Sequence, residues 1–224
     1  MIDTVIISGG NIQNGFALDF LKKRIKEGGR ESLALVAADS GMEWFMRNRE
    51  FIPDLAVGDF DSLSEEGKKY MESLNGLKII RLKPEKDDSD TQSAMNYAIQ
   101  NGAKRITILG ATGNRVDHLM ANFGILVLAK NQGVEVILAD QYNYMKLVSD
   151  GEIIKKSEQF GKYISFFPLG GDVTGLTLEG FKYSLDHYRL TTADSGLTVS
   201  NEIVSEKAKV TYQSGTLLMI MSRD

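Results

Sequence analysis

Short apolar runs alternate with helical patterns through the first ~140 residues, the arrangement of a parallel α/β architecture. Thr4 to Ile7 predicts a buried strand and Ser8-Gly9-Gly10-Asn11 a turn. Phe16, Phe20, Leu21 and Ile25 then recur at helical spacing until Gly28-Gly29 stops the helix. Further strands are expected at Leu33 to Ala37, Leu55 to Val57, Lys78 to Leu82, Arg105 to Leu109 and Val134 to Ala139. Helices are expected near Thr91 to Asn101 and His118 to Asn131, each closed by a glycine (Gly102, Gly133).

After Asp150-Gly151 the period changes from helical to alternating. Tyr163 to Phe167, Leu176 to Leu178, Ala208 to Tyr212 and Thr216 to Met221 read as short strands. Turn signals at Leu169-Gly170-Gly171-Asp172, Glu179-Gly180 and Ser214-Gly215 separate them. That is how an antiparallel sandwich or barrel reads. The expected fold is therefore an α/β N-terminal domain with a mostly parallel sheet (1–146), followed by an all-β, sandwich-like C-terminal domain (147–224).

Composition narrows the chemistry. The 224 residues include no cysteine and two histidines, His118 and His187. This excludes disulfides, thiolate zinc sites, cysteine nucleophiles and multi-histidine metal sites. Any metal must be held by oxygen, which favours Mg²⁺, with Mn²⁺ as the alternative. A net charge of −4 lacks the basic footprint of a general nucleic-acid binder or an electrostatically held membrane protein. No apolar stretch approaches the ~18 residues of a membrane span, and the first residues lack a secretion signal. A soluble, cytoplasmic protein is expected.

In open α/β sheets, ligands bind beyond the carboxyl ends of the strands. Strand after strand here finishes in aspartate: Asp39, then Asp59 and Asp61, then Asp87, Asp88 and Asp90, with Asp117 after the fifth. Gathering carboxylates at one edge costs Coulomb repulsion that a divalent cation bridging a polyphosphate would relieve. Each aspartate also has a plainer reading. Ser62 with Glu65 and Ser89 with Gln92 fit capping boxes, and Asp117 suits the cap of a helix starting at His118.

The glycine turns add phosphate sites of unequal weight. Ser8-Gly9-Gly10 lies between a strand and a helix, so its N–H groups suit a phosphate, although a plain tight turn is the commoner meaning. Gly110-Ala111-Thr112-Gly113-Asn114-Arg115 is more specific, because it brings a guanidinium to a helix start. An Arg115–Asp117 surface pair is the competing reading. His118 beside Asp117 suits a proton shuttle or simply local hydrogen bonds. Trp44 and Phe45 read as core rather than as a ligand-stacking face. Ser200-Asn201 is either a turn or a hydrogen-bonding pair for a heterocycle.

Taken in order, Ala38-Asp39-Ser40-Gly41, Gly58-Asp59-Phe60-Asp61-Ser62, Lys86-Asp87-Asp88-Ser89-Asp90, Gly110 to His118 and Ser200-Asn201-Glu202 resemble the thiamine pyrophosphokinase family. Gly175-Leu176 through Gly180-Phe181-Lys182-Tyr183 is similar to that family's second domain. The resemblance implies a nucleotide-binding catalytic domain and a thiamine-binding β-sandwich. It implies a homodimer with thiamine at the subunit interface, and pyrophosphoryl transfer from ATP to the thiamine hydroxyl, giving thiamine diphosphate and AMP. Asp39, Asp59, Asp61 and Asp87 would hold Mg²⁺, and Asp59, Asp61, Asp87, Asp90 and Arg115 would act at the reacting phosphates. Ser8, Gly9, Gly10, Asp39, Ser40, Lys86, Gly110, Thr112, Gly113, Asp117 and His118 would surround the nucleotide. Ser200 and Asn201 would contact the aminopyrimidine of thiamine.

The chain departs from the family at three places. Asn114 stands where a second glycine is usual, Ser89 replaces threonine, and the sole tryptophan is Trp44 rather than one near the C-terminus. Asparagine tolerates left-handed backbone, and serine keeps the hydroxyl. Two rival functions remain at this stage: a pyrophosphokinase acting on a pterin alcohol, and a non-catalytic nucleotide or thiamine sensor.

Overall fold

The computed structural model describes residues 3–83, 88–194 and 196–224. The chain divides into two compact units between Gln141 and Tyr142. That break lies a few residues before the expected position 146, so a strand at Asn143–Leu147 falls whole into the second unit.

The first unit runs β1 (Asp3–Ile7), α1 (Asn14–Gly28), β2 (Leu33–Ala38), α2 (Met42–Arg47), β3 (Leu55–Gly58), α3 (Glu65–Ser73), β4 (Lys78–Arg81), α4 (Asp90–Gln100), β5 (Arg105–Leu109), α5 (Val116–Asn131) and β6 (Glu135–Ala139). Its strands lie in the order β4-β3-β2-β1-β5-β6, and every pairing is parallel. Covered on both faces, the inner strands are apolar almost without interruption, as in Ile6, Ile7, Leu35, Val36, Ile106 and Ile108. The order reverses between β1 and β5, and this switch point is where such sheets bind ligands.

Local signals explain the element ends. Gly29, at φ 82°, closes α1, and Gly102 and Gly133 follow α4 and α5 in left-handed backbone. Ser89 caps α4 by accepting the Gln92 N–H. Two readings from the sequence are corrected. Helix α5 starts at Val116 rather than His118, so Asp117 sits in its first turn instead of capping it. Ser64, not Ser62, caps α3, accepting the Gly67 N–H. Trp44 and Phe45 are core residues, with their rings packed edge to face.

The second unit contains β7 (Asn143–Leu147), β8 (Glu152–Lys155), β9 (Tyr163–Pro168), β10 (Val173–Glu179), β11 (Leu185–Leu190), β12 (Lys207–Thr211) and β13 (Leu217–Ser222). Strand β13 pairs antiparallel with β7 on one side and β9 on the other, and β11-β10-β12-β8 form a four-stranded antiparallel sheet. Alternation aims one face of each strand inward: Leu217, Met219 and Met221 of β13 share a core with Ala208 and Val210 of β12. Phe166 and Phe181 cross edge to face inside it. No helix among the described residues is long and apolar enough to cross a membrane.

Candidate active site

The carboxyl ends of β2 and β3 deliver Asp39, Asp59 and Asp61 to one point. One carboxylate oxygen from each lies within 4.8 Å of the others. One of these residues, and the one between the other two, hold unusual backbone. Asp39 has φ 47° and Phe60 has φ 61°, a region that non-glycine residues enter at a cost of roughly 1–2 kcal/mol. Phe60 is anchored by burial, and the Arg81 guanidinium lies over its ring. The Asp61 N–H bonds Asp59 Oδ1, which completes a tight Asp-Phe-Asp turn. Ser62 donates its hydroxyl to Asp39 Oδ2. The other oxygen, Asp39 Oδ1, is buried without a hydrogen-bond partner among the described residues.

An orphaned carboxylate oxygen beside two further carboxylates is an unfavourable arrangement for the protein alone. An all-oxygen donor set of this kind fits a hard divalent cation.

The glycine turns close around this point because their backbones nearly touch. A Cβ at Gly9 would lie 2.1 Å from Ser40 Oγ, and one at Gly10 2.2 Å from the Gly110 carbonyl. At Gly41 it would lie 1.9 Å from the Ile7 carbonyl, and at Gly58 2.9 Å from Asp39 Cα. Gly10 N–H donates to Gly110 O at 3.0 Å. The loops after β1, β2, β3 and β5 therefore form one rim. Ser8 extends it to the start of α4, because its hydroxyl is 2.6 Å from Thr91 Oγ1, next to Asp90.

Not every expected residue joins the cluster. Arg115 forks onto Asp117 through Nε and a terminal nitrogen, the surface pair weighed above. That hydrogen bond pulls the Asp117 carboxyl below its ordinary range and raises the Arg115 guanidinium further. Both side chains are well exposed, as is His118 at the same helix start. Thr112 is half-buried and Gly113 exposed. In the 110–115 loop only Gly110 (φ 76°) is left-handed, so Asn114 places no strain on the turn. Lys86 and Asp87 lie outside the described residues. Ser200 and Asn201 belong to the second unit, where Ser200 is exposed and Asn201 is buried.

Sequence reasoning missed three supporting residues. Ser62 was read as a cap, and Thr91 carried no signal. Asn122, 8% exposed, donates from Nδ2 to the Ala111 carbonyl at 2.7 Å and so pins the 110–115 loop. A lone amide on the inner face of an apolar helix was the available clue.

A doubly wound sheet carrying acidic residues and glycine turns at its switch point, followed by an antiparallel sandwich, defines a two-domain α/β enzyme whose acidic cluster fits a hard cation. Comparison with known proteins sharpens this. Residues 29–138 match the family described as "Thiamin pyrophosphokinase, catalytic domain", and residues 151–217 match "Thiamin pyrophosphokinase, vitamin B1 binding domain". The thiamine pyrophosphokinase of Bacillus subtilis is 33% identical over 174 residues, covering 77% of this chain and 80% of that one. A crystal structure of the Bacillus subtilis thiamine pyrophosphokinase superposes with a TM-score of 0.83 at 29% identity, over 99% of both chains. A thiamin pyrophosphokinase family protein of Enterococcus faecalis superposes with a TM-score of 0.79 at 30% identity, over 100% of both. The chain belongs to the thiamine pyrophosphokinase family.

Proposed function

We propose that this chain transfers the pyrophosphoryl group of ATP to the hydroxyl of thiamine, forming thiamine diphosphate and AMP. The convergence of Asp39, Asp59 and Asp61 at the switch-point edge, in a chain that matches both family domains, carries this reading. In the transfer, the thiamine oxygen bonds to the β-phosphorus of ATP and the bond from that phosphorus to the α-phosphate oxygen breaks. AMP leaves with the electron pair, and the hydroxyl proton passes to a carboxylate of the rim.

Asp39, Asp59 and Asp61, with Asp87, are the residues that would hold Mg²⁺. When bound, the ion supplies positive charge that neutralises the phosphate oxygens. The protein's own part is alignment. The loops at Gly9, Gly10, Gly110 and Gly113 would lie against the phosphates, with the Gly10 N–H kept on the Gly110 carbonyl, and Asp90 sits at the α4 start that Ser8 and Thr91 fix. Arg115 exchanges Asp117 for a phosphate oxygen. Their present ion pair is solvent-exposed and therefore weak, so the exchange is easy. The acidic rim also accepts the cationic thiazolium, which a basic site would repel.

Thiamine is assigned to the second unit at Ser200, in a homodimer working in the cytoplasm. The test is a direct product assay with ATP, Mg²⁺ and thiamine. AMP and thiamine diphosphate are expected. ADP in place of AMP, or turnover of a pterin alcohol but not thiamine, overturns the reading.

A further inference from the structure

Asn201 is the residue expected to meet the aminopyrimidine, yet it is 1% exposed and its side chain is already occupied. Its Oδ1 accepts the Tyr183 N–H at 3.0 Å and the Glu202 N–H at 2.9 Å. Its Nδ2 donates to the Tyr183 carbonyl at 2.7 Å. Both acceptor sites of the amide oxygen are thus filled, along with one of its two N–H donors. Turning this amide toward a ligand would give up both of its part-buried bonds to the Tyr183 backbone. The Asn201 backbone is equally committed, exchanging both hydrogen bonds with Ile164 of β9.

These bonds belong to a longer seam. Residues 198–203 are stitched to β9 by the Phe166 N–H to Thr198 O and by the Ser200 N–H to Ser165 Oγ at 3.0 Å. On their other side they are stitched to residues 181–183, through the Phe181–Ile203 bridge and the Lys182 N–H to Glu202 O. Between the two rows sits Ser200, at φ 57° and exposed, its hydroxyl unbonded among the described residues. A serine stays in left-handed backbone only where its neighbours over-determine it.

We infer that Asn201 is a positioning residue: its amide clamps the Tyr183 turn against the 198–203 segment and so fixes the left-handed Ser200, whose hydroxyl meets thiamine, without touching the substrate itself. This assignment rests on the thiamine-binding reading above. Ser165, which receives the Ser200 N–H, serves the same end from the opposite side.

The test measures thiamine dissociation by calorimetry and AMP release by the whole protein. Asn201→Asp keeps the shape but sets an oxygen against the Tyr183 carbonyl. It is expected to weaken thiamine about tenfold or more while leaving the ATP KM within about twofold. In a Ser200→Ala background the same change is expected to add less than about threefold, because the group it positions is already gone. An equal factor in both backgrounds marks an independent substrate contact and overturns the assignment. Unchanged thiamine affinity in a folded Asn201→Asp protein also overturns it. Should that variant not fold, Ser165→Ala replaces it, with a loss of about threefold or more that disappears in the Ser200→Ala background. A wild-type protein that binds no thiamine and releases no AMP sinks the functional reading and this assignment together. Thiamine binding with additive variants sinks this assignment alone.

Discussion

Asp61 is the place to remove charge from the rim with the least collateral change. It is exposed, and its substitution by asparagine keeps volume and leaves the backbone bond to Asp59 intact. Three carboxylate oxygens within 4.8 Å make three repelling pairs, and Asp61→Asn removes the two in which it takes part. Each pair at that distance costs about 0.9 kcal/mol in a water-like medium and about 3.5 kcal/mol at an effective dielectric constant of 20. Exposure and salt pull the value toward the lower figure, leaving a stabilisation of the cation-free protein of about 1–2 kcal/mol. That corresponds to a rise of about 2–6 °C in melting midpoint. The assay is thermal unfolding with chelator and with excess Mg²⁺, alongside AMP release. Wild type is expected to gain stability from Mg²⁺ by mass action. The variant starts higher, responds less and turns over about 100-fold more slowly or worse. A variant that melts at or below wild type in chelator, or that keeps the full Mg²⁺ response, refutes the reasoning.

Three other outcomes follow from the same geometry. Gly41→Ala drives a methyl to 1.9 Å from the Ile7 carbonyl and is expected to cost more than about 2 kcal/mol in urea unfolding. Asn122→Ala leaves the Ala111 carbonyl unpaired, so a loss of about 1–3 kcal/mol is expected, with the ATP KM rising more than the thiamine KM. Asp194 is held below its ordinary 3.8 first by the Thr191 backbone N–H, then by the Thr191 and Tyr188 hydroxyls. A lowered carboxyl stabilises the fold above pH 3.8, and that contribution fades as pH falls through the lower folded value. Asp194→Asn is therefore expected to flatten the acid limb of a stability–pH curve and leave its slope near neutrality unchanged.

Much of the parallel sheet was legible because buried strands are written as unbroken apolar runs. Arg105 to Leu109 matches β5 end for end, and the remaining expected strands of the first unit overlap their elements closely. Helix α2 was not legible, and α3 was legible only as a capping box placed two residues early. The first spans only six residues and was read as core aromatics, and α3 presents mainly charged and polar residues. In the second unit β7, β8 and β11 escaped notice: Asn143–Leu147 and Leu185–Leu190 mix polar and charged residues among the apolar ones instead of alternating cleanly.

The site divides in the same way. That Asp39, Asp59 and Asp61 share one edge followed from strand order. That Arg115 forks onto Asp117, and that the Asn201 amide is used up on backbone, depends on side-chain orientation, which spacing does not encode.

Position 39 obeys two selection rules at once. Its backbone, at φ 47°, admits glycine, asparagine and aspartate with least penalty. The cation-holding role proposed for it asks for an anion. Aspartate satisfies both at least cost, whereas glutamate, the usual charge-preserving replacement, carries a backbone penalty of roughly 1–2 kcal/mol there before its longer reach matters. The main chain thus narrows the choice at position 39 before any ligand does.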